Sequence, residues 1–172
     1  MKITVSSPDI TRAHTHCLVI PVHENGRWSA SARKVEAATQ GLISTLVKAG
    51  DIDGRPGTVL MTPAPSGINA QRLLLVGVGE HPDADDFARA AAATAQRLCA
   101  TPATNAVVTL AEISAKGIDP STRARVLAQA LHNATYRFNQ LKTGAGKEAG
   151  KRSGTLTRVT LVPGSSKTAS VT

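Results

Sequence analysis

One segment of the chain contains a glycine pattern associated with phosphate binding. Residues 73–80, L-L-L-V-G-V-G-E, form an apolar run that ends in Gly77-x-Gly79 just before a predicted helix. This arrangement resembles the opening of a dinucleotide-binding turn, whose third glycine would fall at position 82. That position holds Pro82, and three aspartates follow at the helix start that would face a pyrophosphate. We therefore expect a tight turn that requires small residues, rather than a dinucleotide site.

A second segment contains residue types that bind metals. His14-x-His16 is followed by Cys17 and later by His23 and Glu24. On a strand, the two histidines would share one face, as two ligands of one ion require. The ligand spacing of a structural zinc site is absent, however, and the chain has only five histidines. We expect histidines at the surface or at a strand edge, and we assign no metal ligand.

The sequence offers no arrangement for nucleophilic catalysis. The G-x-S-x-G motif is absent, and no Ser-His-Asp or Cys-His set can be assembled from the spacing. The carboxylates are few and stand at predicted helix starts or in loops such as residues 51–53, where capping and turn roles account for them. We therefore assign no catalytic residue to this chain.

Positive charge is concentrated near the end of the sequence. Residues 1–141 contain 14 Lys or Arg against 11 acids, whereas residues 142–172 contain 6 against 1, within a total of +8. This excess favours phosphate-bearing partners such as double-stranded DNA, although a solvated linker is the competing interpretation. The candidate DNA-phosphate contacts are Lys142, Lys147, Lys151, Arg152 and Arg158.

The composition indicates one domain with an aliphatic core. Hydrophobic residues make up 41% of the chain and aromatic residues only 2%, which argues against ring stacking on single-stranded nucleic acid. Cys17 and Cys99 lie inside apolar runs, so we expect buried thiols and a reducing, cytoplasmic location. The start of the chain lacks the apolar stretch of an export signal, and no run approaches 18 apolar residues. We expect no membrane partner.

The elements that would position these residues alternate between strands and helices. Three helices are predicted: one over residues 29–49 that stops at Gly50, one after Pro82, and one that opens with Asp119-Pro120. Segments 50–57 and 63–69 read as surface loops. The predicted strands span residues 3–5, 17–22, 58–62, 73–78, 106–110 and 159–162.

This order predicts a mixed sheet between layers of helices. We expect a domain core over residues 1–143, a flexible basic connector over 144–155, the final strand of the same domain over 156–163, and a tail or linker over 164–172. In the last helix, Phe138 falls on the apolar stripe of Leu127 and Leu131, whereas Tyr136 points the other way. Tyr136 is therefore our candidate for a contact outside the domain.

Four segments together resemble a known family. They are residues 18–22 (L-V-I-P-V), 41–57 (G-L-I-S-T-L-V-K-A-G-D-I-D-G-R-P-G), 72–80 (R-L-L-L-V-G-V-G-E) and 136–143 (Y-R-F-N-Q-L-K-T). In their order and spacing the chain resembles the N-terminal, non-catalytic domain of cytosolic leucyl aminopeptidase, the bacterial aminopeptidase A type. The resemblance covers most of the chain.

The resemblance implies a three-layer α/β/α sandwich with a mixed, mostly parallel sheet of about six strands, similar to macro domains. It also implies a following peptidase domain with two divalent ions, manganese or zinc, and an N-T-D-A-E-G-R signature that this sequence does not contain. The implied partners are that peptidase domain, other copies in a homohexamer and, as in some bacterial members, double-stranded DNA. A stand-alone DNA-binding or nucleotide-binding module, of the ADP-ribose type, is the alternative.

Overall fold

A computed structural model of the chain describes residues 1–144 and 156–164, with side chains described in 1–136 and 156–164. Among the described residues, no helix combines the length and apolarity needed to cross a membrane. The elements in chain order are β1 (Lys2–Val5), β2 (Cys17–Val22), α1 (Ala30–Ala38), α2 (Leu42–Ala49), β3 (Val59–Pro63), β4 (Arg72–Gly77), α3 (Ala84–Cys99), β5 (Asn105–Val108), a 3-10 helix (Leu110–Glu112), α4 (Pro120–Gly144) and β6 (Arg158–Leu161).

The six strands form one sheet in the order β1-β6-β5-β2-β4-β3. All neighbouring pairs are parallel except β3 with β4, so the sheet is mixed and mostly parallel, as predicted. All six predicted strands are present within one or two residues. Every residue of β2 is buried, as expected of a strand with a strand on each side and helices on both faces.

The two faces of the sheet support separate apolar clusters. Along β2, Cys17 and Val19 join the cluster that contains Phe87 of α3 and Leu127 of α4. The alternate residues, Leu18, Ile20 and Val22, join the cluster that contains Val35 of α1 and Ile43 of α2. Successive side chains of a strand point to opposite faces, so a single strand anchors both helix layers. The predicted three-layer α/β/α sandwich is confirmed.

The predicted helix over residues 29–49 is wrong in one respect, because two helices occupy this segment. The chain turns between α1 and α2 at Gln40 and Gly41, whose φ angles are 54° and 89°. The carboxylate of Glu36 accepts hydrogen bonds from the backbone nitrogens of Ile43 at 2.9 Å and Ser44 at 3.2 Å. Glu36 thereby caps the start of α2. The predicted stop at Gly50 is confirmed, with a left-handed φ of 80°.

The two segments predicted as surface loops are partly buried. In segment 50–57, Ile52 is only 3% exposed, and a Cβ on Gly54 would lie 2.7 Å from backbone atoms of His23 and Glu24. In segment 63–69, Ile68 is 8% exposed. Each loop has an isoleucine among its residues, and Ile52 and Ile68 both belong to the apolar cluster on the α1 and α2 side.

Both cysteines are free and buried, as predicted. Burial raises the pKa of the Cys17 thiol to about 12, an effect that the positive charges of Arg72 and Arg97 oppose. Burial also raises the pKa of Cys99. Neither thiol forms a reactive thiolate near neutral pH, so both behave as small core residues.

Candidate functional site

A cleft of about 1340 Å³ opens where the parallel strands end. We name it the carboxyl-edge cleft, because its walls are built by the segments that follow β1, β2, β4, β5 and β6. In open α/β sheets this edge is the usual place for a ligand, since side chains from several loops converge there. The lining includes Ile10, His23, Arg27, Trp28, Ser31, Arg33, Lys34, His81, Glu112, Lys116 and Val162.

The start of α1 lies in the cleft and is held by a carboxylate from across the sheet. Ser31, only 4% exposed, donates from its backbone nitrogen to Oε1 of Glu112 at 3.2 Å and from its hydroxyl to Oε2 at 2.8 Å. The hydroxyl of Ser29 accepts from the backbone nitrogen of Ala32 at 3.0 Å. Glu112 therefore occupies the positive end of α1, where an anionic ligand would otherwise be stabilised.

Each of the four α-helices in the described part of the chain begins at a carboxylate. Glu112 serves α1 and Glu36 serves α2. Asp83 and Asp86 form a reciprocal capping box at α3, and Asp119 accepts from the backbone nitrogens of Ser121 and Thr122 at the start of α4. Unpaired amide donors and the helix dipole both favour a negative group at this position. The expected capping role of the acids is thereby confirmed.

His23 follows β2 at the floor of the cleft. Its Nδ1 lies 2.9 Å from the carbonyl oxygen of Gly79. A carbonyl can only accept, so Nδ1 carries a proton and Nε2 is the acceptor of the neutral ring. Burial lowers the pKa of His23; the hydrogen bond to Gly79 opposes this effect, and the nearby Arg27 and His81 add to it. His23 therefore stays neutral near neutral pH.

Four exposed cations surround the cleft. Arg33 and Lys34 belong to α1, Arg27 follows β2, and Lys116 follows the 3-10 helix. The cleft also contains two carboxylates: that of Glu112 is bound to Ser31, and Glu80 lies 3.7 Å from His81. The wall is therefore net positive, and its cations come from three separate segments of the chain.

The glycine motif does not open toward this cleft. A Cβ on Gly77 would lie 2.1 Å from the carbonyl oxygen of Arg55, and Gly79 donates its backbone hydrogen to Gly54 at 2.8 Å. Both glycines lie where segment 54–58 packs against the end of β4. The expected tight turn that requires small residues is confirmed, and the residues of the motif are not free to contact a pyrophosphate.

The histidines considered as metal ligands are far from converging. His14 is exposed, and Nδ1 of His16 accepts from the backbone nitrogen of Thr104 at 3.2 Å. Both precede β2, whereas His23 follows it at the opposite edge of the sheet. Within residues 1–136 and 156–164, no group of three His, Cys, Asp or Glu side chains is placed to hold a metal ion.

The structure describes one of the five candidate DNA-phosphate contacts. Arg158 is exposed and begins β6, at the amino edge of the sheet and thus opposite the carboxyl-edge cleft. The side chain of Lys142 lies outside the described residues, as do Lys147, Lys151 and Arg152. The side chain of Tyr136 is exposed by 61%, and its contact with another domain stays a prediction. The side chain of Phe138, the predicted core residue, is also outside the described set.

Sequence reasoning missed most of the carboxyl-edge cleft. Trp28, the only tryptophan of the sequence, and the consecutive Arg33 and Lys34 belong to no motif. The position of Trp28 in the loop that follows the buried strand β2 is a usable signal. The pairing of Ser31 with Glu112 links residues 81 positions apart. No local spacing rule detects such a contact.

Comparison with known proteins defines the family. The model of the cytosol aminopeptidase family, N-terminal domain, matches residues 19–145, which is most of the chain. The chain therefore belongs to the cytosol aminopeptidase family. A probable cytosol aminopeptidase of Burkholderia multivorans is 42% identical over 131 residues, and one of Halorhodospira halophila is 34% identical over 145 residues.

This cytosol aminopeptidase family domain spans less than a third of those relatives. The match to the Burkholderia protein covers 74% of this chain and 26% of that protein. The match to the Halorhodospira protein covers 83% of this chain and 29% of that protein. Among solved structures, a tomato leucine aminopeptidase mutant has a TM-score of 0.70 at 18% identity, covering 94% of this chain and 32% of that one. The macrodomain of Mycobacterium tuberculosis DarG has a TM-score of 0.67 at 14% identity, covering 95% and 99%. These likenesses confirm the macro-like fold.

We predict that Glu112→Ala lowers the stability of the domain. The change leaves the backbone and hydroxyl donors of the buried Ser31 without their carboxylate, at a cost of about 1 kcal/mol, as for the loss of a helix cap. The midpoint of thermal unfolding, followed by circular dichroism, should fall by about 2–4 °C. Glu80→Ala, which removes an exposed acid from the same cleft, is the matched control. Equal midpoints for the two variants would contradict the assigned role of Glu112.

We also predict that His23 makes stability depend on pH. Its pKa is below the ordinary value of 6.5 in the folded domain, so the unfolded chain binds more protons between these two values. The contribution of neutral His23 to the free energy of unfolding is therefore complete above about pH 6.5, the ordinary pKa of histidine. It decreases as the pH falls through that window. The difference in melting temperature between pH 7.5 and pH 5.5 should shrink in His23→Gln but not in the exposed control His14→Gln. An unchanged difference in His23→Gln would refute the prediction.

Proposed function

We propose that this chain is the non-catalytic N-terminal domain of a metal-dependent leucyl aminopeptidase and serves assembly and regulation. The observation that carries the proposal is the family match over residues 19–145. In the proposed parent protein, located in the cytoplasm, catalysis belongs to a separate peptidase domain that removes N-terminal amino acids from peptides. The domain described here joins that peptidase domain and contributes to a homohexamer.

The carboxylates of the domain support a non-catalytic role. A two-metal peptidase centre needs several carboxylates free to bind manganese or zinc. Here Glu36, Asp83, Asp86, Glu112 and Asp119 accept hydrogen bonds from helix starts. These five acids are therefore engaged at helix starts, and no catalytic step is assigned to residues of this domain. Tyr136, on the exposed side of α4, is proposed as a contact with the peptidase domain.

We predict that the isolated chain does not hydrolyse leucine p-nitroanilide, with or without added manganese or zinc. Absorbance of released nitroaniline measures the rate, and a cytosol aminopeptidase that includes the peptidase domain is the positive control. Metal-dependent turnover by the pure chain, retained through repeated chromatography, would overturn the proposal. Rates equal to the buffer blank under conditions where the control is active support it.

We propose DNA binding as a second function, carried by the five candidate cations near the end of the sequence, of which Arg158 lies at the amino edge of the sheet. Three strands begin there with cations: Lys2 on β1, Arg158 on β6 and Arg72 on β4. Lys2 and Arg158 are in register on adjacent parallel strands, so their side chains leave the same face of the sheet. Arg158 also belongs to the cation-rich segment 142–172, which contains 6 Lys or Arg and one acid. Such an edge suits phosphate contacts on double-stranded DNA rather than recognition of bases.

We predict salt-sensitive binding of duplex DNA by the chain. If the five candidate cations each contact a phosphate, the logarithm of the association constant should fall with the logarithm of salt with a slope of about −4.5. Fluorescence anisotropy with a labelled 20-base-pair duplex measures the slope. In the test variant, glutamine replaces each of the five candidate cations: Lys142, Lys147, Lys151, Arg152 and Arg158.

A charge-matched control separates the contribution of these five cations from that of the overall charge. In the control, glutamine replaces five exposed cations that lie away from the amino edge: Lys34, Lys48, Arg55, Arg89 and Lys116. The test variant should lose affinity and most of the salt slope, whereas the control should keep both. Equal losses in the two variants, or no binding by the native chain at low salt, would overturn the assignment of DNA binding to these five cations.

A further inference from the structure

The outer edge of β3 is a free edge of the sheet. β3 is the last strand in the sheet order and, among the described residues, it pairs with β4 alone. Backbone hydrogen bonds of 2.8 and 3.1 Å join Thr58 and Ala64 to the two ends of the β4 segment. Every second residue of an antiparallel strand faces the same neighbour. The even-numbered residues of β3 therefore face β4, and the backbone groups of Val59, Met61 and Pro63 point outward.

These outward groups form a short set of donors and acceptors. Val59 and Met61 each present one N–H and one carbonyl, whereas Pro63 presents a carbonyl alone. The carbonyl of Pro63 also accepts the hydroxyl of Thr62 at 2.5 Å. Proline is tolerated at this position because its nitrogen faces away from β4. The part of the edge that can both donate and accept is therefore the segment from Val59 to Met61.

This edge lacks the charges that usually protect a free strand. Residues 56–71 contain no Asp, Glu, Lys or Arg, although the whole chain has 20 basic and 12 acidic residues. Exposed edge strands commonly carry a charged side chain that prevents pairing with another chain. The opposite edge strand, β1, begins with Lys2. Two copies of this chain, each with a net charge of +8, can therefore pair at β3 without placing like charges of the strand opposite each other.

The side chains of β3 match a second copy of the same strand. In an antiparallel pairing about a twofold axis at Leu60, Val59 lies opposite Met61 of the second copy, and the two Leu60 residues lie opposite each other. Val59 is 38% exposed in the single chain, and this pairing covers it with an apolar side chain. Met61 and Leu60 pack partly on the clusters of the two sheet faces. Apolar contacts therefore form on both faces of the joined sheet.

The twofold axis at Leu60 also leaves no outward group of Val59 or Met61 without a partner. Each of the two residues exchanges both of its backbone hydrogen bonds with the other residue in the second copy. With the axis at Met61 instead, the carbonyl of Val59 would face Pro63 of the second copy, which has no N–H. Unpaired buried carbonyls are unfavourable, so the backbone favours the axis at Leu60.

We propose that two copies of this chain pair through β3 in antiparallel orientation, about a twofold axis at Leu60, and form one continuous sheet. A twofold contact of this kind uses the same surface on both copies and closes after two. Backbone hydrogen bonds and apolar contacts hold the pair together, as in other complexes formed by addition of a strand to a sheet edge. The contact goes beyond the proposed role in assembly, because it requires only this chain and no peptidase domain.

Analytical ultracentrifugation of the native chain tests for the pair. The sedimenting mass should rise from 17.8 kDa toward twice that value as the protein concentration increases. An increase from about 0.1 M to about 0.5 M salt should not weaken this association, because no exposed ion pair holds the contact. The same salt increase weakens contacts that depend on charged side chains, so it separates this pairing from charge-driven association.

Proline substitutions at the two sheet edges test the location. Val59→Pro removes one outward donor from each copy and leaves the bonds to β4 in place, so association should weaken about tenfold or more. Val5→Pro is the matched control, because Lys2 and Ser6 donate to the β6 side and Val5 therefore points away from it. Val5→Pro should leave association unchanged. Circular dichroism melts check that both variants keep the fold.

Cysteine cross-linking tests the axis without a proline. Directly opposed residues of a non-hydrogen-bonded antiparallel pair have Cα atoms about 4.5 Å apart, which a disulfide can span. Both native cysteines are buried, so the introduced thiols are the accessible ones. Oxidation by diamide should join Leu60→Cys chains about tenfold faster or more than Met61→Cys chains, whose introduced thiols lie on diagonal positions about 7–8 Å apart.

Three outcomes would overturn the proposal. One is a single species of 17.8 kDa at every concentration up to about 1 mM, the range of weak but measurable association. Another is equal weakening of association by Val59→Pro and Val5→Pro, and the third is cross-linking of Met61→Cys as fast as that of Leu60→Cys. None of these results alters the peptidase assay, so failure of this inference is distinguishable from failure of the proposed role in an aminopeptidase.

Discussion

The complete burial of β2 is the constraint on which the rest of the structure depends. This strand pairs with β4 on one side and β5 on the other, and its alternate residues enter two different apolar clusters. Both helix layers therefore pack against the same six-residue strand. The end of β2 also determines where the chain emerges at the carboxyl edge, which is why His23, Arg27 and Trp28 meet the start of α1 in the cleft.

The placement of the acids shapes the chemistry left to the domain. In a parallel α/β fold the helix starts lie near the carboxyl edge, where ligands usually bind. Here the helix starts are satisfied by carboxylates of the protein itself, so their amide groups stabilise the fold instead of binding phosphate. The same arrangement leaves exposed cations such as Arg27, Lys34 and Lys116 without an acid within 4 Å among the described residues. These exposed cations are the groups on which the proposed contacts with an anionic partner depend.

Membership of the cytosol aminopeptidase family and likeness to macrodomains rest on different observations. The first rests on sequence similarity over most of the chain, and the second on backbone arrangement at 14% identity. Two proteins can share a three-layer sandwich and use different edges of it, because function depends on the side chains at each site. In this domain the amino edge presents Lys2, Arg72 and Arg158, whereas the carboxyl edge presents a cleft with cations and a ring. The two edges of the sheet therefore present different sets of side chains.

The sequence by itself determined the six strands, the two long helices, the mixed sheet between helix layers and the family, because continuous apolar runs, Asp-Pro and Gly punctuation, and motif order are local properties. It also predicted that Gly77 and Gly79 form a packed turn. Only the tertiary structure decided that residues 29–49 break at Gly41, that Ile52 is buried, and that Glu112 holds Ser31. Each of these depends on contacts between segments far apart in the chain. Local periodicity contains no information about which distant carboxylate reaches a helix start, and that choice determines where an anion can bind.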